Sequence, residues 1–168
     1  FHAWRMVEAQ WTARHHNLNA FVSCQDLYNL LERDIERELV PAMQAYGMGL
    51  LPFFPLASGL LTGKYRREAK PPEGSRLGNN PSMASRWMTG GNWTVVESLQ
   101  SYAAEQGRSL LELAFGWLAA RPCVASVIAG ATRPEQLDAN VKAVNWQLGP
   151  AEMDEIERRI KAARKPGS

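Results

Sequence analysis

Cysteine is nearly absent from this chain: only Cys24 and Cys123 occur, far apart and in no CxxC pair. A disulfide framework and a zinc ribbon are thereby excluded, and both residues read as buried thiols of a reducing compartment. Histidine is also scarce. His2, His15 and His16 cluster near the start without metal-ligand spacing to another ligand type, so they read as surface or capping residues. Neither sign of charge dominates: 19 Lys and Arg against 17 Asp and Glu leave +2, too little to argue for nucleic acid or an anionic membrane. No apolar run approaches the length of a membrane span, and no signal peptide opens the chain. The first residues, Phe1-His2-Ala3-Trp4, include no initiator methionine and no opening strand, so the sequence reads as one entered partway.

What is present is the composition of a soluble globular protein, 45% hydrophobic and 21% charged in 168 residues, with a cytoplasmic location expected. Two helix–strand alternations in its opening third point to α/β architecture with a parallel sheet. Residues 3–16 favour a helix burying Trp4, Val7, Trp11 and Ala13. A short strand is expected over 20–26, a helix over 34–46 with Ile35, Leu39, Val40 and Met43 buried, and a fully buried strand over 50–54. The segment 64–91 lacks periodicity and carries several prolines and glycines, so it is expected to be a lid or disordered. Its basic excess (Lys64, Arg66, Arg67, Lys70, Arg76, Arg86) suits an anion, or simply a solvated surface. Helices follow over 93–106, from the capping box Ser109-Leu110-Leu111-Glu112, and from Pro150 with Met153, Ile156 and Ile160 inward.

The most informative stretch is Ser126 to Asn140. A β-branched run from Val124 to Ile128 reads as a buried strand, and Thr132-Arg133-Pro134-Glu135 fits a capping box. The strand therefore leads through Gly130 into a helix whose start attracts anions. Gln136 and Asn140 share one face there, with Leu137, Val141 and Val144 expected as the buried stripe behind them. With Arg133 at the mouth, this suits a phosphorylated ligand; an ordinary well-capped βα unit is the plainer reading. After the 50–54 strand, the run from Pro55 to Tyr65 invites comparison with a P-loop. Only three residues separate Gly59 from Gly63, however, and Tyr65 rather than Ser or Thr follows Lys64. A phosphate loop of another geometry stays possible.

Three segments in this order resemble the C-terminal half of an aldo-keto reductase: Gln25-x-x-Tyr28-Asn29-Leu30-Leu31, the run from Pro52 to Tyr65, and Gly130-Ala131-Thr132 through Gln136 to Asn140. The resemblance covers essentially all 168 residues. It implies one portion of a (β/α)8 TIM barrel, parallel strands six to eight with their helices, and NADP(H) as cofactor. It also implies roles for residues of this chain. Gln25 would bond the nicotinamide amide, and Phe53 would stack on its ring. Phe54, Leu56, Ser58, Gly59, Leu60, Thr62 and Lys64 would lie along the pyrophosphate. Gly130, Thr132, Arg133, Gln136 and Asn140 would hold the adenosine and its 2′-phosphate. The sequence departs from the family at Phe53, commonly tyrosine, at Phe54, commonly serine, and at Ala139, commonly acidic. The family's Asp, Tyr, Lys and His tetrad matches no position here, so no catalytic residue is assigned. The resemblance implies reduction of a small carbonyl substrate if an N-terminal half is present. The alternatives are a non-catalytic nucleotide-binding or interaction module, like the family's channel-associated subunits, and an inactive fragment. Three strands cannot close a barrel, so self-association through open sheet edges is expected.

Overall fold

The computed structural model describes residues 1–164, which form an α/β arrangement in which helices cover one face of a small parallel sheet. In chain order the helices are α1 (Ala3–His15), α2 (Leu39–Ala45), α3 (Pro81–Trp87), α4 (Gly90–Glu105), α5 (Leu110–Ala119), α6 (Pro134–Ala143) and α7 (Pro150–Ala163). Strand β1 (Ser23–Leu27) lies parallel to β2 (Gly49–Phe53), with Ser23 opposite Gly49 and Leu27 opposite Phe53. Short 3₁₀ segments, Asp34–Glu36 and Ala57–Thr62, follow β1 and β2.

The third strand expected over 124–128 reduces to a single bridge, Leu50 to Val124. Two bonds form it: the Leu50 N–H donates to the Cys123 carbonyl at 2.6 Å, and the Ala125 N–H to the Leu50 carbonyl at 2.9 Å. The next rung would need an N–H from residue 52, which is proline and has none. The chain resumes contact one residue late, the Ile128 N–H reaching the Pro52 carbonyl at 3.1 Å. One residue is thus bulged out and the ladder stops. β2 still runs between β1 and this frayed segment, so the C-terminal ends of all three lie together.

Side chains alternate across the sheet. Leu50 and Pro52 are buried, whereas Gln25, Leu51 and Phe53 share the opposite face, on which Gln25 is exposed. α5 is the centre of the helical layer: Leu113, Trp117 and Leu118 are fully buried, and α4 packs on both α5 and α7. The Ser109 capping box forms as its residues require, with Glu112 N–H on Ser109 Oγ and Ser109 N–H on Glu112 Oε2. In α7, Ile156 and Ile160 are buried and Met153 half-buried, as periodicity indicates.

Several sequence expectations are corrected. In α1 the buried residues are Met6, Gln10 and Ala13, and Trp4 and Trp11 are exposed. The 34–46 helix is split, because a continuous one would need a Pro41 N–H and would press the proline ring on the Arg37 carbonyl. Restarting at Leu39 puts Pro41 in a first turn, where no N–H is missed. Segment 64–91 contains helix α3, capped by Asn80 Oδ1 on the Met83 N–H at 3.1 Å, and it buries Tyr65, Leu77 and Trp87. Thr89 caps α4 three residues earlier than periodicity suggested. Cys24 is only half-buried; Cys123 is buried, and burial pushes both thiols up.

Helix α6 is turned over relative to expectation. Leu137, Val141 and Val144 are exposed, while Ala143 is buried and Gln136, Ala139 and Asn140 are half-buried. The last four positions have the i, i+3, i+4, i+7 spacing of one helix face. α6 packs on α5, and the two alanines permit that approach. Among the described residues no strand lies beneath α6 to receive the apolar stripe.

Candidate functional site

The residues singled out in the sequence converge on the C-terminal ends of the parallel segments. Gln25 stands two residues before the end of β1, and Phe53 is the last residue of β2. Gly130 comes two residues after Ile128, which is bonded to β2 at Pro52. Phe53 is half-buried, and its ring meets that of Phe54 edge-on at 5.6 Å.

The turn after β2 is held in an unusual conformation. Phe54, Ala57 and Ser58 adopt positive φ of 52°, 46° and 58°, followed by Gly59 at 97° and Gly63 at 78°. Three non-glycine residues in the left-handed region within five positions carry a conformational cost that the surroundings must offset. The surroundings are visible. Ala57, Ser58, Leu60 and Leu61 are buried, and the Ser58 hydroxyl donates to Met83 Sδ of α3 at 2.9 Å. Thr62 Oγ1 donates to the Gly59 carbonyl at 2.7 Å. The side chains of Ser58 and Leu60 thus point inward, and their contribution to a ligand is confined to backbone. Leu56 is half-buried, and its carbonyl accepts from the Gly59 N–H at 2.8 Å.

Lys64 is exposed and folds back over this turn. A Cβ added at Gly59 would lie 3.3 Å from both Cε and Nζ of Lys64, so glycine leaves the room that the lysine occupies. Its ammonium also sits 5.1 Å from the centre of the Tyr65 ring. Among the described residues neither Lys64 nor Arg133 makes an ion pair. The arginines of the loop are engaged. Arg67 pairs with Glu97 at 3.0 Å, Arg66 donates to the Gly63 carbonyl, and the Arg76 guanidinium lies 5.0 Å over the Phe54 ring.

The Thr132 capping box does not form. Arg133 is the N-cap of α6, without a side-chain cap, and Pro134 takes the first helical position. Gln136 Oε1 accepts from the Thr132 N–H at 2.8 Å and from the Thr132 hydroxyl at 3.1 Å. The reach-back of a capping box is therefore present, shifted by one residue, since proline at 134 fixes where the helix starts. Gly130, Thr132 and Arg133 are exposed, and Gln136 and Asn140 are half-buried beside them.

Tyr28 and Asn29 belong to a motif that by itself assigns them no task. The Asn29 side chain is fully buried and tied to the turn after β2. Tyr28 donates to Glu36 Oε1 at 2.6 Å, and burial with that bond pushes its phenol up, which makes it a poorer proton donor. Glu36 belongs to a cluster in which Arg33 and Arg121 bridge Glu36 and Glu157 and lie against the Trp117 ring. The signal for this cluster, arginines and glutamates far apart in sequence, has no local period to reveal it.

Burial alone pushes the Glu157 carboxyl up, but the Arg33 hydrogen bond and the charges of Arg33 and Arg121 hold it below its ordinary value of 4.5. A depressed carboxylate contributes stability above that value and loses it as pH falls through its folded-state pKa. Glu157→Gln should therefore cost about 1–2 kcal/mol at neutral pH, allowing for the 38% exposure of the side chain. The difference should shrink below pH 4.5. Thermal melts at pH 7 and below 4 check this, and a constant difference would contradict it.

The match to the family model described as "Aldo/keto reductase family" runs over residues 1–161. The chain is 36% identical over 167 residues to a rice protein named probable voltage-gated potassium channel subunit beta, covering 97% of this chain and 51% of that one. It is 39% identical over 162 residues to a fission yeast putative subunit of the same name, covering 92% and 46%. It is also 36% identical over 142 residues to L-glyceraldehyde 3-phosphate reductase of Escherichia coli K12, covering 81% and 40%. The chain thus spans about half the length, or less, of the curated relatives it matches.

Proposed function

Because this chain belongs to the aldo/keto reductase family, we propose that it is the cofactor-binding half of an NADP(H)-dependent oxidoreductase that reduces aldehydes or ketones. We place β1, β2 and the frayed third segment as strands six, seven and eight of a (β/α)8 barrel, with the site at their C-terminal ends. The observation that carries the reading is that the Gln25, Phe53–Lys64 and Gly130–Asn140 segments converge there, the last two bringing Lys64 and Arg133, neither of which makes an ion pair among the described residues. No helix among those residues is long and apolar enough to cross a membrane, and we propose a cytoplasmic protein.

The donor set fits an anionic dinucleotide. Lys64, laid over Gly59, would neutralise the pyrophosphate, and Arg133 at the start of α6 would receive the 2′-phosphate. Gln136 and Asn140 would hold the adenosine, Phe53 would stack against the nicotinamide, and Gln25 would bond its amide. When bound, a reduced nicotinamide supplies a hydride equivalent. The residues of this chain bind and orient; the acid that neutralises the developing alkoxide would come from earlier strands, outside these 168 residues.

Titration of NADPH into the complete protein, followed by nicotinamide fluorescence, tests this. Lys64→Ala should weaken binding about 10- to 100-fold, the loss of one charge-assisted contact. Unchanged affinity would remove Lys64 from the site. The similarity to potassium channel subunits favours a second reading, a nucleotide-binding interaction module without turnover. Sustained aldehyde reduction by the complete protein would exclude it. Residues 1–168 alone should self-associate through the open sheet; a single monomeric species in sedimentation would contradict that.

A further inference from the structure

We infer that Asn29 is a positioning residue for the cofactor site: its buried carboxamide fixes the Phe54 peptide, and through it the placement of the Phe53 ring and the turn leading to Lys64. The inference rests on the NADP(H) reading above and names a residue that neither motif nor composition had given a task. Asn29 is fully buried. Its Oδ1 accepts from the Leu31 N–H at 2.8 Å and the Glu32 N–H at 3.0 Å, which closes its own turn. With the acceptor so occupied, the amide group is oriented with Nδ2 outward, and Nδ2 donates to the Phe54 carbonyl at 2.9 Å.

That carbonyl belongs to the first residue of the left-handed run, Phe54 at φ 52°. An aromatic residue does not hold this conformation unaided. The next link is the Ala57 N–H, which also donates to the Phe54 carbonyl, at 3.0 Å. Asn29 therefore joins the loop after β1 to the loop after β2 at the point where the latter leaves the sheet. An acceptor-only side chain of the same shape cannot do this. Asn29→Asp keeps both bonds to Leu31 and Glu32 and turns a second acceptor toward a carbonyl; Asn29→Ala removes all three contacts.

The two ends of the proposed ligand separate a positioning role from general damage. NADPH would span Phe53, Lys64 and Arg133, whereas adenosine 2′-monophosphate, which has no 5′-phosphate to reach Lys64, would occupy only the α6 end. In the complete protein, Asn29→Asp should weaken NADPH about tenfold, the cost of replacing one buried hydrogen bond by two opposed acceptors while the Ala57 N–H bond remains, and leave adenosine 2′-monophosphate within about twofold. Asn29→Ala should behave alike with a lower melting temperature. Equal losses for both ligands in either variant would show a merely structural role and overturn the inference, as would an unchanged NADPH affinity. A wild-type protein that bound neither compound would refute the cofactor reading itself, and this inference with it.

Discussion

Residues 1–168 alone are expected to consume no NADPH in the presence of a reactive aldehyde, and adding the proposed N-terminal half, fused or in trans, is expected to restore turnover. Hydride transfer needs the cofactor held against a carbonyl, and it needs a proton for the developing alkoxide. The chain has groups suited to the first task. For the second it offers little. Tyr28 is committed to Glu36 with its phenol pushed up, and Tyr65, the tyrosine nearest Lys64, is buried, its hydroxyl oxygen accepting from the Leu77 N–H at 3.2 Å. General acid catalysis contributes about 10²- to 10⁴-fold by itself, so its loss combined with an open substrate side should bring the rate to background. NADPH absorbance, followed with and without the other half, decides. Turnover by the short chain, abolished by Phe53→Ala or Lys64→Ala, would mean that the acid lies among these residues.

The second large effect is on cofactor choice. Arg133 is exposed, makes no ion pair among the described residues, and is the N-cap of α6, where the helix dipole adds to its own charge. If it receives the 2′-phosphate, Arg133→Ala should weaken NADPH by about 1–3 kcal/mol and leave NADH nearly unchanged. High salt should narrow the gap, since the contact is exposed. Equal losses for both cofactors would remove Arg133 from this role.

Local chemistry made much of the architecture legible. β2 follows from its short apolar run between breakers, and the Ser109–Glu112 box fixes the start of α5. β1, by contrast, lies over Ser23–Leu27, past the apolar and exposed Ala20, Phe21 and Val22 that suggested it. What stayed hidden depended on partners distant in sequence. Pro52 looks harmless within an apolar run, yet as a ladder member it denies one rung and frays the third strand. Pro41 splits a helix that periodicity alone would continue. For α6, the sequence offers two candidate faces, and only the presence of α5 selects Gln136, Ala139, Asn140 and Ala143 as the inward one. The site followed the same division. Its glycines, lysine and arginine were visible as motifs, whereas the left-handed turn and its Asn29 anchor required the approach of two loops 25 residues apart.

A crystal structure of the complete protein with NADP⁺ tests the central claim most directly. The account predicts the nicotinamide ring against Phe53, the pyrophosphate within hydrogen-bonding distance of Lys64, and the 2′-phosphate on Arg133 at the start of α6. A cofactor bound away from these strand ends, or none bound at saturating concentration, would contradict it.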